Sequence, residues 1–434
     1  MARPRGADLA DLADRICHIG HIGHIGGTSV SSRSNDIGEG NVGEPPVTSR
    51  TVDVAVVGAG VIGLSVAWRA AKEGLTVAIC DPEPARGASW AAAGMLAPTT
   101  EGRWGEGMLQ ALSQASAAAW PGYAAELEED SGLPVGLRRD GTLSVALDAD
   151  DYRALEESFA VQRELGCDVE LLTGQDCRRL EPSLNPRIAG GVLSAGDHQV
   201  DNRALLGALI QAVARRGAEL VRSSVREVRR TPAERVAGVV LDDGTELAAG
   251  NVVVAAGWRS GHLGGLAQGD VAPVRPVKGQ ILRLRSDPST PVIGRAIRAM
   301  AQGRPVYLVP RASGEVVVGA TMEERGADTT VTAGAVYDLL RAAVAMVPEV
   351  GELELKEVMS GLRPGSPDNG PILGAASTPG LFLATGHYRN GILLAPLTAD
   401  ALFDALSGRT IGGPAGFFSP QRFSVGEPSY EQRV

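Results

Sequence analysis

The stretch VDVAVVGAGVIGLSVAWRAAKEGLTVAICD, residues 52–81, decides the fold of this 434-residue chain. Val54–Val57 is a short apolar run typical of a buried parallel strand, and a helical pattern follows over Leu64–Glu73. A second apolar run, Thr76–Cys80, predicts another strand, and Asp81 closes the unit. The order of strand, glycine turn, helix, strand and acid predicts a dinucleotide-binding unit.

Three glycines in the turn have separate roles in that pattern. Gly58 permits the tight turn, Gly60 lets backbone N–H groups approach a pyrophosphate, and Gly63 lets the helix pack closely on the strand. The helix N-terminus adds partial positive charge for the phosphates. Asp81 is expected to accept hydrogen bonds from ribose hydroxyls, which favours an unphosphorylated ribose. The motif by itself does not say which dinucleotide binds.

Composition and charge argue against several classes of protein. The net charge of −10 is the wrong sign for a nucleic-acid partner. The 4 cysteines show neither metal-type nor disulfide-dense spacing, so we expect reduced thiols in a cytoplasmic protein and no metal site. No uninterrupted apolar run reaches the ~18–20 residues of a membrane helix, so no membrane partner is expected.

Residues 1–50 differ from the rest of the chain. Aspartates in the first part of this segment exclude a signal peptide, and a run rich in Ser, Gly, Asn and Pro leads to Ser49. His18, His21 and His24 repeat with a spacing that could bind metal adventitiously. The composition favours a disordered extension, with ordered structure starting near residue 52.

The remaining chain returns repeatedly to β/α patterns, with hairpin-like strands between them. We predict helices at Gln110–Glu129, interrupted by Pro121-Gly122, and at Arg203–Arg216, and a buried strand at Asn251–Trp258. This order predicts an α/β chain, α+β overall, in which a doubly wound, Rossmann-like nucleotide domain is interleaved with a mostly antiparallel β-sheet substrate domain. The predicted divisions are residues 51–134, 198–272 and 358–411 for the nucleotide domain, residues 135–197 and 273–357 for the substrate domain, and residues 412–434 for a C-terminal tail.

Eight motifs in order make the chain resemble the FAD-dependent amine oxidase and D-amino-acid oxidase superfamily, and in particular the glycine oxidases of thiamine biosynthesis. The resemblance covers roughly residues 52–410 and implies that the nucleotide domain binds FAD. The motifs are GAGVIG (58–63), GASWAAAGMLAP (87–98), VVVAAGW (252–258), VRPVKGQ (274–280), YLVPR (307–311), VVVGATM (316–322), GLRPGSPDNGPILG (361–374) and LFLATGHYRNGILLAP (381–396).

The resemblance assigns residues to each part of a non-covalently bound FAD. The glycine turn with Val61 and Ile62 would lie beside the pyrophosphate, and Asp81 would hold the adenosine ribose. Val225 would contact the adenine side through its backbone. The phosphates and the flavin ring would be lined by Ala88, Ser89, Ala93, Gly94 and Met95, and the flavin's pyrimidine edge by His387, Tyr388, Arg389, Asn390, Gly391, Ile392 and Leu393.

The resemblance also implies a small amino-acid substrate. Arg363 would clamp the substrate carboxylate through two parallel charge-assisted bonds, as a planar guanidinium can. Tyr307 would share that carboxylate, and Arg389 would be a second arginine of the pocket. Met322 would lie over the position of the substrate side chain, where a bulky group favours glycine, sarcosine or small D-amino acids.

The activity implied is oxidative deamination of glycine by hydride transfer, with O2 reduced to hydrogen peroxide. The products would be the imine and 2-oxo acid, feeding thiazole formation, and the family tends to form tetramers. No buried carboxylate or histidine stands out as a base for the amine. Some relatives carry a histidine two residues before the tyrosine, and this chain has Pro305 there.

Three alternatives remain open at this point. A sarcosine-type oxidase commonly attaches FAD to a C-terminal cysteine, but the last cysteine here is Cys177. A D-amino-acid dehydrogenase would share the glycine turn and the arginine clamp. A non-catalytic FAD-binding protein would have no need to retain Tyr307, Arg363 and Arg389 together.

Overall fold

The computed structural model describes residues 51–103, 105–301 and 304–423. Its first described element is the strand Thr51–Val57. Residues 1–50, with the histidine triplet, and residues 424–434 of the predicted tail lie outside the described residues. The predictions for those segments therefore stay predictions.

The described elements alternate between strands and helices over the whole length. The strands are β1 (Thr51–Val57), β2 (Val77–Cys80), β3 (Met95–Leu96), β4 (Thr142–Ala146), β5 (Val169–Thr173), β6 (Gly190–Ser194), β7 (His198–Gln199), β8 (Glu219–Val221), β9 (Val225–Arg230), β10 (Val236–Leu241), β11 (Glu246–Val254), β12 (Arg275–Arg285), β13 (Ala296–Ala301), β14 (Arg304–Pro310), β15 (Glu315–Gly319), β16 (Glu354–Gly365), β17 (Ile372–Ala375) and β18 (Leu381–Thr385). The α-helices are Val61–Lys72, Gly87–Ala91, Gly107–Ser131, Ala149–Glu164, Gly174–Leu180, Asn202–Arg215, Ala333–Met346 and Gly391–Leu406. Short 3₁₀ helices are Gly257–His262, Gln268–Asp270, Pro348–Glu352, Gly413–Phe418 and Pro420–Phe423. Among the helices described, none combines the length and apolarity needed to cross a membrane.

The first eight-stranded sheet has the order β17-β18-β11-β1-β2-β8; in addition, β10 pairs antiparallel with β11, and β9 pairs antiparallel with β10. Strands β8, β2, β1, β11 and β18 run parallel. Val54, Ala55 and Val56 of β1 are fully buried, as expected for a central strand covered on both faces. One neighbour of β1 follows immediately through a helix and the other comes almost 200 residues later, which makes β1 the switch point of the sheet.

The second eight-stranded sheet has the order β16-β12-β15-β14-β13-β4-β6-β5. Its pairs are antiparallel except that of β13 with β4. A sheet with a parallel core, interleaved along the chain with a mostly antiparallel sheet, agrees with the predicted fold class, which is confirmed. Strand β16 lies wholly in the second sheet although it crosses the division predicted at residue 358. The exact domain divisions stay a prediction.

The long helix Gly107–Ser131 continues through Pro121, so the predicted interruption is wrong. Trp120 and Tyr123 are buried on either side of the proline, with ring centroids 5.2 Å apart. This packing on both sides compensates for the backbone hydrogen bond that a proline cannot donate. Trp120 Nε1 also donates to Leu393 O at 2.9 Å, so this helix fixes the start of the helix that carries Leu393.

Candidate active site

A cavity of about 700 Å³ lies at the carboxyl ends of β1 and β11, with β12, β14 and β16 of the second sheet contributing to its walls. An open parallel sheet binds its ligand at such a switch point. The volume is in the range of known cofactor and ligand sites. The topology therefore places one site between the two sheets.

Most of the residues predicted for cofactor and substrate line this cavity. They are Gly58, Gly60, Val61, Ile62, Asp81, Ala88, Ser89, Ala93, Gly94, Met95, Val225, Tyr307, Arg363 and, in one run, His387, Tyr388, Arg389, Asn390, Gly391, Ile392 and Leu393. Of the predicted set, Gly63 and Met322 are not among the lining residues. The structure thus brings both predicted groups to one place, although their roles toward ligands stay predictions.

The glycine turn approaches neighbouring backbone too closely for side chains. Gly58 has a φ of +104°, and a Cβ there would lie 2.5 Å from Ala255 O. A Cβ on Gly63 would lie 1.9 Å from Gly58 O, so Gly63 lets the helix approach the turn and does not face the ligand. The helix then begins after Gly60 with its N-terminus at the cavity, where backbone N–H groups favour an anion.

Asp81 fixes the same turn. Its Oδ2 accepts a hydrogen bond from the Ala59 N–H at 2.7 Å, and its Oδ1 accepts one from the Glu83 N–H at 2.8 Å. Each carboxylate oxygen has a second lone pair, so Asp81 can still accept a ribose hydroxyl. The predicted ribose contact stays a prediction, and the turn contact is an additional role.

The segment after β2 forms the neighbouring wall. The short helix Gly87–Ala91 places Ser89 so that its Oγ accepts a hydrogen bond from the Val61 N–H at 3.0 Å. Gly94 has a φ of +71°, and a Cβ there would lie 2.1 Å from Val200 O. Small residues are required here because the wall and its support are in backbone contact. This narrow cleft with two helix N-termini, at residues 61 and 391, fits an elongated dinucleotide such as FAD.

Arg363, on β16, reaches the cavity through space that a glycine leaves. Its Nη1 donates to the backbone oxygens of Thr321 at 3.2 Å and Lys278 at 3.4 Å. A Cβ on Gly279 would lie 2.3 Å from the same Nη1. Within the described part of the chain Arg363 has no ion-pair partner, so its charge is available to a ligand carboxylate.

Tyr307, on β14, is placed beside Arg363 in the same way. It pairs across the sheet with Gly319, where a Cβ would lie 2.5 Å from the phenolic oxygen. Burial raises the pKa of Tyr307, and the nearby Arg363 offsets part of that rise. Tyr307 is therefore a neutral hydroxyl beside a guanidinium, which is the pair predicted to hold a carboxylate.

Glu101 is a cavity residue that no sequence motif indicates, and it changes the interpretation of Arg389. Arg389 Nη1 lies 3.1 Å from Glu101 Oε2, and Arg298 pairs with Glu101 Oε1. Burial raises the pKa of Glu101, but Arg298, Arg389 and Arg363 together outweigh burial and lower it. Arg389 thus lines the cavity as part of an ion pair with an ionised carboxylate.

Glu101 is thus a carboxylate beside the predicted substrate residues, but its lowered pKa makes it a weak base, so the expectation that no carboxylate stands out as a base for the amine stays a prediction. A second carboxylate, Asp197, lies beneath the loop that carries Glu101 and accepts hydrogen bonds from the N–H groups of Thr99 at 2.9 Å and Thr100 at 2.8 Å. Glu101 lies in an irregular loop, and its arginine partners lie almost 200 residues or more away. No local pattern could have identified it.

The loop after β18 is held in place by a backbone hydrogen bond to β16 and by a hydrogen bond of the buried His387 imidazole. Burial lowers the pKa of His387 to about 3, and its Nε2 shares a hydrogen bond with Thr398 Oγ1 at 2.9 Å. The Tyr388 N–H donates to Pro364 O at 2.9 Å, which ties the loop to β16. His387 is consequently a neutral structural group and not a base.

Met322 lies at the edge of this region. Its side chain is exposed, 53% for the residue as a whole, and its Sδ accepts a hydrogen bond from the Tyr388 hydroxyl at 2.9 Å. A residue so placed does not close the cavity over a substrate side chain in this structure. Its predicted selection of small substrates stays a prediction.

The opposite end of the cavity is lined by Val225 together with Trp258 and Arg259. The Arg259 guanidinium lies 4.6 Å from the Trp258 ring centroid. Trp258 ends one of the eight motifs, whereas no motif in the sequence points to Arg259. Cys80 also lines the cavity, and burial raises the pKa of its thiol to about 12, which makes it a poor nucleophile toward a cofactor.

Comparisons with known proteins cover almost all of this architecture. A family model described as FAD dependent oxidoreductase matches residues 53–405. A glycine oxidase of Geobacillus kaustophilus is 36% identical over 357 residues, which are 81% of this chain and 92% of that protein. The crystal structure of glycine oxidase from Geobacillus kaustophilus has a TM-score of 0.78 at 34% identity, covering 86% of this chain and 99% of that chain.

A longer relative shares the same region. A bifunctional protein ThiO/ThiG of Synechocystis sp. is 32% identical over 375 residues, which are 86% of this chain and 54% of that protein. The chain therefore spans about half the length of the bifunctional relatives it matches.

Proposed function

The chain belongs to the family of FAD dependent oxidoreductases, and we propose that it is a glycine oxidase. It would convert glycine, and also sarcosine and small D-amino acids, to the imine and 2-oxo acid, with O2 reduced to hydrogen peroxide. The observation that carries the proposal is Arg363 beside Tyr307 in the cavity, where each side chain occupies space that a glycine leaves free. The chain is also similar to proteins named glycine oxidase over 92% of the length of one relative and 99% of one solved structure, which supports the same substrate.

The substrate carboxylate would bind to Arg363 and the Tyr307 hydroxyl. Of the two arginines predicted for the substrate pocket, Arg363 has no described counter-charge, whereas Arg389 is already paired with Glu101. A carboxylate would therefore bind at Arg363 in preference to Arg389. Two parallel N–H···O bonds would fix its orientation as well as its position, and orientation supplies much of the rate.

The substrate amine would face the other side of the cavity, toward Glu101. The ionised Glu101 carboxylate can accept an N–H from the amine, while its lowered pKa makes it a weak base. The substrate must therefore either bind as the fraction of amine that is already neutral at the pH of the solution, or bind as the ammonium and lose its proton to water. His387 is a poor base for the amine, because burial lowers the pKa of its imidazole to about 3 and its Nε2 is bonded to Thr398.

FAD, when bound, supplies the acceptor for the hydride that leaves the substrate. The chain would hold it through the glycine turn and the helix N-terminus at residue 61, with Asp81 at the ribose. The walls 87–95 and 387–393 would enclose the flavin. Cys80 is the cysteine among the described residues that line the cavity. Burial keeps its thiol protonated and therefore unreactive toward FAD, which supports non-covalent binding.

A substrate panel with peroxide detection tests the proposal. FAD-loaded protein should form peroxide with glycine and sarcosine, less with D-alanine, and none with L-amino acids of any size. Absence of peroxide with all of the small amino acids would refute the oxidase. Acid precipitation should release yellow FAD, whereas flavin kept on the precipitated chain would refute non-covalent binding.

Two alternatives are separated by the electron acceptor and the substrate. A D-amino-acid dehydrogenase would reduce a phenazine or quinone acceptor while leaving O2 untouched. A sarcosine oxidase would prefer sarcosine to glycine in kcat/KM. Parallel O2-uptake and phenazine assays with both substrates therefore distinguish all three activities.

The setting of the reaction is also proposed. The product would feed thiazole formation in thiamine biosynthesis, which the similarity to ThiO/ThiG proteins supports. The described cysteines Cys80, Cys167 and Cys177 are free thiols, in keeping with the cytoplasm. A homotetramer is proposed on the family resemblance, and sedimentation analysis of the purified protein would test it.

A further inference from the structure

Three buried polar side chains lie behind the cavity wall formed by residues 87–95. We call them the wall cluster: Asn202, Arg283 and Arg311. Arg311 Nη2 donates to Ala93 O, and also to Asn202 Oδ1 at 3.3 Å. Arg283 Nη2 donates to Ala92 O at 3.4 Å and to Asn202 Oδ1 at 3.2 Å. Three side chains from separate elements thus converge on one short piece of backbone.

Asn202 extends this support to the preceding helix. Its Nδ2 donates to Ser89 O and to Trp90 O, each at 2.9 Å, and the residue is fully buried. The carbonyl groups of residues 89, 90, 92 and 93 consequently all face away from the cavity. The wall is held by donors along its whole length.

The two arginines of the cluster differ in charge compensation. Arg283 forms an ion pair with Glu315. Arg311 is 5% exposed, its Nη1 donates to the neutral Gln199 Oε1 at 3.1 Å, and no described carboxylate pairs with it. Burial lowers the pKa of Arg311 to about 10, so the guanidinium stays charged at physiological pH. Arg311 therefore places a positive charge behind the wall without a direct ion pair, and the carboxylates that act on it, Asp201 and Glu315, do so from beyond ion-pair distance.

This charge also acts through the peptide groups of the wall. In a trans peptide the C=O and N–H point in opposite directions. Since the carbonyls of Ala92 and Ala93 face Arg283 and Arg311, the N–H groups of Ala93 and Gly94 face the other side, where both residues line the cavity. A cation on the carbonyl strengthens the N–H as a donor.

We propose that Arg311 is a positioning residue that raises the reduction potential of the bound FAD. Reduction by two electrons adds negative charge to the flavin, and a buried cation behind the wall lowers the free energy of that form. Asn202 and Arg283 hold the same wall, while Glu315 limits the contribution of Arg283. This inference depends on FAD binding and not on the choice of amino-acid substrate.

Midpoint potentials from anaerobic reductive titration against a reference dye test the proposal. Arg311→Gln keeps a donor amide but removes the charge, and should make flavin reduction about tenfold less favourable, or ~30 mV lower for a two-electron couple. Arg311→Lys should stay near the wild-type potential. Glu315→Gln leaves Arg283 without its counter-charge and should shift the potential upward.

The opposite signs separate electrostatic tuning from damage to the fold. Arg295→Gln is a matched control, since Arg295 pairs with the buried Glu181 at 3.0 Å and does not line the cavity, and its potential should equal that of the wild type. The proposal fails if Arg311→Gln binds FAD at an unchanged potential, or if Arg311→Gln and Glu315→Gln shift in the same direction. If Arg311→Gln does not retain FAD, the Glu315→Gln variant decides by itself: an unchanged reduction potential in that variant overturns the proposal. A protein inactive on glycine would leave these measurements unaffected.

Discussion

The two ends of the cavity are built in different ways. The nucleotide end comes mainly from one stretch, residues 52–95, and uses backbone groups, glycines and a helix N-terminus. The proposed substrate end comes from Glu101, Tyr307, Arg363 and Arg389, which lie on separate elements and present side-chain charge and hydroxyl groups to the cavity. The first end depends on local geometry, whereas the second depends on how distant segments pack.

This difference predicts different sensitivities. At the nucleotide end an added methyl group should be harmful even when no charge changes, because backbone atoms are already in contact. At the substrate end a change of charge should be harmful even when the size is conserved. Four substitutions test that division, beginning with the largest expected effect.

Arg363→Ala should lower kcat/KM for glycine by about 10³-fold, because two charge-assisted hydrogen bonds of ~1.5–3 kcal/mol each are lost. The loss should appear mainly as a higher KM, with FAD still bound. Steady-state peroxide assays over a wide range of glycine concentrations would measure it. The exposed Lys356, on the same strand, provides the control Lys356→Ala, which should behave as the wild type. If Arg363→Ala has the same kinetics as the wild type, Arg363 does not bind the substrate carboxylate.

Gly63→Ala should weaken FAD binding by roughly 10–100-fold, the equivalent of the ~1–3 kcal/mol that overpacking costs. The added Cβ would lie 1.9 Å from Gly58 O, so the turn must move. FAD titration of apoprotein, followed by flavin fluorescence, gives the affinity. Gly122→Ala, in a helix where a Cβ would meet nothing within 4 Å, should leave the affinity unchanged. Equal affinities for both variants would contradict the account of the turn.

The same division explains what could be predicted from the sequence. The unit at residues 52–81 was predicted correctly because its strand, turn and helix are set by neighbouring residues, and the family and FAD are confirmed by the comparisons. Arg363 and Tyr307 were predicted only through motifs, and the structure brings both to the cavity. Glu101 and the wall cluster were not found, since their partners become neighbours only after both sheets have packed. The interruption expected at Pro121 failed for a related reason, because tertiary burial outweighed the local rule.

Glu101→Gln should lower kcat/KM for glycine about tenfold while increasing inhibition by small carboxylates such as acetate. The change is nearly isosteric and leaves Arg298 and Arg389 without their shared counter-charge. Arg389 should then compete with Arg363 for the substrate carboxylate. Inhibition constants for acetate in both proteins would measure this, and weaker inhibition in the variant would argue against the ion-pair account.

The same variant has a pH signature in its stability. Because the pKa of Glu101 is lowered in the folded state, its ion pairs stabilise the wild type above the ordinary carboxyl pKa. That contribution is lost as the pH falls through the lowered pKa. The difference in melting temperature between wild type and Glu101→Gln should therefore be largest near neutral pH and shrink in acid. A difference that grows in acid would mean that Glu101 is protonated in the folded protein.

Met322→Leu should have the smallest effect, less than about threefold in kcat/KM for glycine, since swaps of similar volume usually cost below ~1.5 kcal/mol. Met322 lies at the exposed edge and contacts Tyr388 through its sulfur, so the substitution removes one weak hydrogen bond. The ratio of activities on glycine and D-valine decides whether Met322 also selects substrate size. If the residue acts only at the edge, Met322→Ala will leave that ratio unchanged. If it closes over the substrate in the working enzyme, the ratio will move toward D-valine by ~10-fold or more, as expected when several methylene-sized groups are removed from a pocket.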